Sequence, residues 1–156
     1  MPYVSRRQLS LSEAEAEEFL HANRWGRLGT ASLGAEPHVT PLGYVYHRGA
    51  IYFHALRRSR RGRHLAENPS VAFLVDDGLA LGDPYTRRRG LIVYGRCVIP
   101  DDDALLDEVR YRYMRAMDAT SLDEVQRRTH SWYRIDIDRL ASWDFRKIPA
   151  GADRKA

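Results

Sequence analysis

The side chains of this chain best equipped for chemistry are its arginines and histidines. Arg57, Arg58, Arg60, Arg61 and Arg63 fall within seven residues, and Arg87, Arg88 and Arg89 form a second block. Clusters of this kind suit an anionic partner, whether phosphate, carboxylate or nucleic acid. Arginine's planar fork grips either oxyanion in two places at once, whereas the plainer use of such a run is a solvated helix face. The six histidines, at 21, 38, 47, 54, 64 and 130, contain no H-E-x-x-H spacing, and the single cysteine, Cys97, leaves no pair to bind zinc. Neither a G-x-S-x-G elbow nor a P-loop occurs. A serine or cysteine nucleophile is therefore disfavoured, and a bound cofactor becomes the natural carrier of any difficult chemistry. Cys97 itself reads as a buried apolar residue.

These residues need a scaffold, and the pattern around them supplies one. Ser12 and Glu15 form an S-x-x-E capping box that opens a helix running to Asn23, with Phe19 and Leu20 on its inner face. Short β segments follow at Arg27 to Leu33, Pro37 to His47 and Ala50 to Leu56, joined by tight turns at Gly34-Ala35 and Arg48-Gly49. The expectation is an antiparallel meander whose middle strand lies at an edge or bulge, because Pro37 and Pro41 cannot donate to a ladder. In the third strand Ile51 and Phe53 share one face, Tyr52 and His54 the other. Arg57 to Glu67 suits a short helix ending before Asn68-Pro69. Ser70 to Val75 and Leu91 to Ile99 are strands, separated by a loop from Gly78 to Arg89. Asp101 to Asp103 open a helix carrying Leu105, Leu106, Val109, Tyr113 and Met117 at helical spacing. A shorter helix is expected over Ser121 to Thr129, and a last strand over Trp132 to Asp144. Six mostly antiparallel strands on this length close most easily into a small barrel, which removes exposed edges.

Composition agrees with a folded chain: 156 residues, 44% hydrophobic and 29% charged, with a net charge of +4. The expectation is one domain over residues 1–149 and a disordered tail over 150–156. No run of residues is apolar enough to cross a bilayer, the first twelve residues lack the apolar core of a signal peptide, and one cysteine fits a reducing compartment. The expected location is the cytoplasm.

Several stretches resemble a known family. They are Arg27-Leu-Gly-Thr-Ala-Ser-Leu, Ala35-Glu-Pro-His-Val-Thr-Pro-Leu-Gly-Tyr-Val-Tyr, Ala50-Ile-Tyr-Phe-His-Ala and Arg61-Gly-Arg-His-Leu-Ala-Glu-Asn-Pro-Ser-Val-Ala-Phe-Leu-Val-Asp-Asp. In this order they look like the pyridoxamine-phosphate-oxidase-like split-barrel flavoproteins. Pro84-Tyr-Thr-Arg-Arg-Arg-Gly-Leu-Ile-Val-Tyr-Gly-Arg and the closing Arg139-Leu-Ala-Ser-Trp are similar to the deazaflavin branch, which uses coenzyme F-420. The resemblance spans Leu11 to Phe145.

It implies a mainly β fold, a six-stranded antiparallel split barrel of the flavin-binding type, working as a homodimer with the cofactor at the interface. Val39, Thr40, Pro41 and Leu42 match the strand whose backbone meets the polar edge of the ring. His54 and Ala55 stand where the third strand reaches the cofactor, with a small residue at 55 to admit a planar ring. Arg60 and Arg61 stand at the phosphate position, Arg61 replacing the usual lysine, with Ser59 adding a hydroxyl and Arg57 extending the basic surface toward a glutamate tail. Arg88 lies in a loop that crosses toward the partner's cofactor, and Trp143 either packs beside the ring or serves the core. Tyr44 and Tyr46 line a substrate pocket or a half-buried strand face. The implied activity is hydride transfer from the deazaflavin to an activated double bond of a small organic substrate. The nearest alternative is an FMN-dependent oxidase or nitroreductase in the same groove. Another class is a non-catalytic haem-binding barrel ligated by His54, His64 or His130. A nucleic-acid-binding barrel is disfavoured, because no aromatics are interleaved with the arginines to stack on bases.

Overall fold

The computed structural model of the protein describes residues 5–119 and 128–150. The expected helix over Ser121 to Thr129 lies outside the described residues except for its last two positions, and the expected tail lies outside them from residue 151 onward. Among the described residues no helix is long and apolar enough to cross a membrane.

A one-turn helix α1 (Arg6–Leu9) precedes α2 (Glu13–Ala22), whose capping box forms as its sequence requires: Ser12 accepts from the Glu15 amide and Glu15 reaches back to the Ser12 amide. Then come β1 (Trp25–Ala31), β2 (Pro37–Gly43), β3 (Val45–His47), β4 (Ala50–Leu56), α3 (Arg60–Glu67), β5 (Ser70–Asp77), β6 (Arg89–Val98), α4 (Asp103–Ala116) and β7 (His130–Asp144). The long loop before β6 holds a 3-10 turn at Tyr85–Arg87, and another follows β7 at Phe145–Lys147.

All pairings are antiparallel, in the order β2-β1-β5-β6-β7-β4-β3. The strand count is therefore seven rather than six, and the expected meander is corrected. The segment Pro37 to His47 breaks at Tyr44 into two strands that lie at opposite ends of the sheet order. Only Tyr44 separates them, so the two sheet edges must come together and the sheet is rolled into a barrel. Burial of Tyr44 makes the break: its amide donates to the Arg24 carbonyl (2.9 Å) and its hydroxyl to the Leu20 carbonyl (2.9 Å), pulling the chain inward. Gly43 is needed beside it, since a Cβ there would stand 2.6 Å from Met117 Sδ. The prolines of β2 sit at a sheet end, where a missing N–H costs no ladder bond.

Phe19, Leu20, Leu28, Tyr44, Ile51, Phe53, Phe73, Leu91, Val93 and Ile135 fill the barrel and are buried. Helix α2 contributes Phe19 and Leu20 to this core, as its apolar spacing demands. The opposite face of β4 carries Tyr52, which joins Val45, Trp132, Leu106 and Val109 in a second cluster beneath α4. The alternation along β4 thus serves two cores, one inside the barrel and one outside it.

Candidate functional site

Where β3 has not yet begun to pair with β4, the barrel is split, and β2 faces the end of β4 across the gap. Helix α3 starts at this split. Its cap is Ser59, whose hydroxyl accepts from the Gly62 amide (3.2 Å) and donates to the Leu56 carbonyl (2.7 Å). Ser59, expected to add a hydroxyl for an anion, caps α3 in this structure, with its hydroxyl proton on the Leu56 carbonyl. Gly62 is required in the next turn, since a Cβ would lie 2.3 Å from the Arg57 carbonyl oxygen.

The arginines of the cluster separate into different roles. Arg57 donates to the His130 carbonyl (3.0 Å) and the Ser131 hydroxyl (3.3 Å), and also to the Arg128 carbonyl, so it ties the end of β4 to the start of β7. This is the arginine expected to extend the basic surface toward a glutamate tail, and it remains exposed. Arg63 binds the Arg58 carbonyl (2.7 Å). Arg60 is exposed and pairs with Glu36 (3.3 Å). Arg61 is different. It is half-buried, its Nη1 donates to Thr40 Oγ1 of β2 (3.1 Å), and its Nε is fully buried with no acceptor. A buried guanidinium N–H without an acceptor is costly, and an anionic oxygen would satisfy it.

Beside Arg61 stands an aromatic wall. His54 stacks on His130 with centroids 4.5 Å apart, lies 5.1 Å from Trp132 and 6.3 Å from Tyr113, and Tyr113 meets Trp132 edge-on at 5.2 Å. The cross-strand pairing of His54 with Trp132 sets this arrangement. Burial, then the charges of His130 and Arg61, depress the His54 imidazole to about 4, so it is uncharged at neutral pH. Burial raises the Tyr113 phenol, partly offset by Arg61. A groove of about 580 Å³ opens on the far side of the wall, between His54, Trp132, Leu106 and Ile99.

The remaining expected residues are placed as follows. Leu42 is buried, whereas Val39 and Pro41 point outward from β2, Val39 with 67% exposure. Ala55 faces the barrel core and is fully buried, so its side chain does not face the split. Arg88 lies in the exposed loop, stacked over Tyr85 at 4.6 Å. Trp143 pairs with Gly90, eleven residues beyond Trp132 and so roughly 35 Å farther along β7. One protomer therefore does not bring Arg88 and Trp143 to the split. Tyr44 is core, and Tyr46 is half-buried against His21. His64 is buried and shares a hydrogen bond with Thr30 (3.1 Å), while His54 and His130 stack on one another nearly in parallel.

Sequence reasoning did not assign Tyr113, Trp132 and His130 to the wall. Tyr113 was visible as part of an apolar helix stripe, and Trp132 as part of an alternating strand. The β4–β7 register brings Trp132 and His130 to His54, and the packing of α4 over the same face brings Tyr113.

The chain matches the family model described as pyridoxamine 5'-phosphate oxidase over residues 12–144. It is 36% identical over 81 residues to a 5a,11a-dehydrotetracycline/5a,11a-dehydrooxytetracycline reductase of Streptomyces rimosus, a match covering 49% of this chain and 56% of that protein. The match thus spans little more than half of the relative's length. Among solved structures, a conserved hypothetical protein from Mycobacterium tuberculosis superposes with a TM-score of 0.77 at 27% identity, covering 99% of each chain. An FAD-binding protein from Mesorhizobium loti does so with a TM-score of 0.69 at 26% identity, covering 85% of this chain and 94% of that one.

Proposed function

The chain belongs to the pyridoxamine 5'-phosphate oxidase family, and on that premise we propose that it is a deazaflavin-dependent reductase working as a cytoplasmic homodimer. The observation that carries this reading is Arg61, a half-buried guanidinium with one orphaned N–H, braced by Thr40 at the split of the barrel. The residues present fit the anionic end of a flavin-type cofactor. Arg61 would hold that end, with Arg60 and the first-turn amides of α3 beside it. The β2 backbone from Val39 to Leu42 would run along the ring. When bound, such a cofactor supplies a hydride to an electron-poor carbon–carbon double bond of a small organic substrate.

The chain's own part is positioning and exclusion of water. His54, uncharged at neutral pH, adds no second cation beside Arg61, and with Tyr113 and Trp132 it walls off solvent. Arg58 and Arg60 remain exposed on the same helix start, more positive charge than one phosphate needs, which favours a cofactor with an acidic tail. The relative from Streptomyces rimosus is named as a reductase of dehydro compounds, in keeping with this class of substrate.

Dimer formation is supported by the outer face of the sheet. The rows Val39–Gly29–Ala72–Tyr94–Arg139 and Pro41–Arg27–Leu74–Ile92–Ala141 cross five strands, and Val39 is exposed there, as is Trp25 of β1. In this reading Arg88 and Trp143 serve the cofactor of the second copy.

A second reading, FMN or another flavin in the same groove, is favoured by the likeness to the FAD-binding protein from Mesorhizobium loti. Titrating the purified protein with coenzyme F-420 and with FMN, followed by absorbance, separates the two. Saturable binding of F-420, at least about tenfold tighter than FMN, supports the deazaflavin reading. The reverse order selects the flavin, and binding of neither removes both.

A further inference from the structure

Outside the split lies a second groove, of about 440 Å³, between the end of α2, β3 and α4. Its floor is apolar: Leu20, Tyr44 and Val45 are all buried. Two phenols wall it. Tyr46 stands on β3, edge-on to His21 at 4.9 Å, and Tyr111 on α4 is 64% exposed. Arg112 and Arg115 project from α4 into the same groove.

The balance of charge in this groove is uneven. Glu108 is the one carboxylate among its lining residues, and both of its oxygens are occupied, by His47 Nε2 (2.8 Å) and Arg48 Nη2 (2.9 Å). Those contacts hold Glu108 ionised, and the charge of Arg112 adds to this without a hydrogen bond or ion pair between the two. Among the described residues Arg112 makes no hydrogen bond or ion pair, and Arg115 is held only by Tyr111, through the phenol oxygen (3.1 Å) and over its ring (5.7 Å). Two guanidiniums with no carboxylate ion-paired to either therefore share a cleft with an apolar floor and two aromatic walls. Burial, then the charges of Glu17 and Glu13, raise the Tyr46 phenol; those two carboxylates on α2 disfavour an anionic end on that side of the groove, and the guanidiniums of α4 favour it on the other.

From this arrangement we propose that the groove between α2, β3 and α4 binds a planar aromatic carboxylate. Its ring would lie over Leu20 and Val45 between Tyr46 and Tyr111, with its carboxylate on Arg112 and Arg115. Aromatic walls prefer a flat partner in offset or edge-on contact, and an arginine pair grips a carboxylate with geometric specificity that a point charge lacks. The site is on the other face of α4 from His54 and stands independently of the cofactor reading.

The test is an amide-resolved NMR titration of the full chain with 2-naphthoate, with its uncharged counterpart 2-naphthamide, and with cyclohexanecarboxylate. The site predicts saturable shifts at Leu20 to Asn23, Tyr44 to Tyr46 and Arg112 to Ala116. The amide and the aliphatic acid should each bind at least about fivefold more weakly. The double variant R112Q/R115Q, altered at two exposed positions, should bind naphthoate at least about tenfold more weakly while its unperturbed spectrum stays that of the folded chain. Naphthoate shifts confined to the surroundings of Arg61, equal affinity in the double variant, or no saturation by about 10 mM would each overturn the assignment.

Discussion

Replacing His54 by phenylalanine should make the protein more resistant to acid. The ring still stacks on His130 and Trp132, but the group that titrates is gone. In the folded chain this imidazole is held at about 4 against an ordinary value of 6.5. Between those two values the unfolded chain carries a proton at this site that the folded chain refuses. Stability therefore falls as pH is lowered from about 6.5 to about 4, then levels off below the folded value. The gap of about 2.5 units corresponds to about 3 kcal/mol over the whole interval. Urea unfolding of wild type and His54→Phe at half-unit steps from pH 7 to pH 4 reads this directly. The wild type should lose about 2–3 kcal/mol more than the variant across that range. Parallel losses in the two proteins would refute the reasoning. So would an NMR titration of the His54 ring with a midpoint near 6.5.

Two further substitutions probe the frame around the split. Gly62→Ala would set a Cβ against the backbone oxygens of Arg57 and Leu56, at 2.3 and 2.7 Å, and should cost roughly 2–4 kcal/mol in chemical denaturation; a change within error would mean that α3 can shift freely. Val39→Glu places a charge on the uncovered outer face, and sedimentation should show a dimer becoming a monomer with its fold intact. A variant that stays dimeric would move the interface elsewhere.

How far the sequence revealed this architecture depends on whether the signal was local. The capping box at Ser12, the turns at Ala35 and Arg48–Gly49, and the apolar stripe of α4 are short-range features, and each appears in the structure near its expected place. The break at Tyr44 was hidden because Pro37 to His47 alternates like one continuous strand. What divides it is a buried tyrosine bonded to Arg24 and Leu20, a contact that exists only once α2 has docked. The same holds for the site. The arginine run marked the right helix start, but not which member turns inward. Arg61 does so because Thr40 on β2 receives it, while Arg57 is drawn away by carbonyls of β7. His54 could be singled out from its strand, yet its neighbours come from β7 and α4, and it takes the register of β4 with β7 and the docking of α4 to put them there.

The central claim is that one guanidinium, braced at the split, grips the anionic end of a tricyclic cofactor. Its most direct test compares the affinity for coenzyme F-420 of wild type, Arg61→Gln and Arg60→Gln. Loss of a half-buried charged contact is worth about 1.5–3 kcal/mol, so Arg61→Gln should bind about 10- to 150-fold more weakly. Arg60→Gln removes an exposed, solvent-screened arginine that stands beside the same anionic end and already pairs with Glu36, so it should weaken binding by less than about fivefold. Equal losses in the two variants, or an unchanged affinity in Arg61→Gln, would contradict the account.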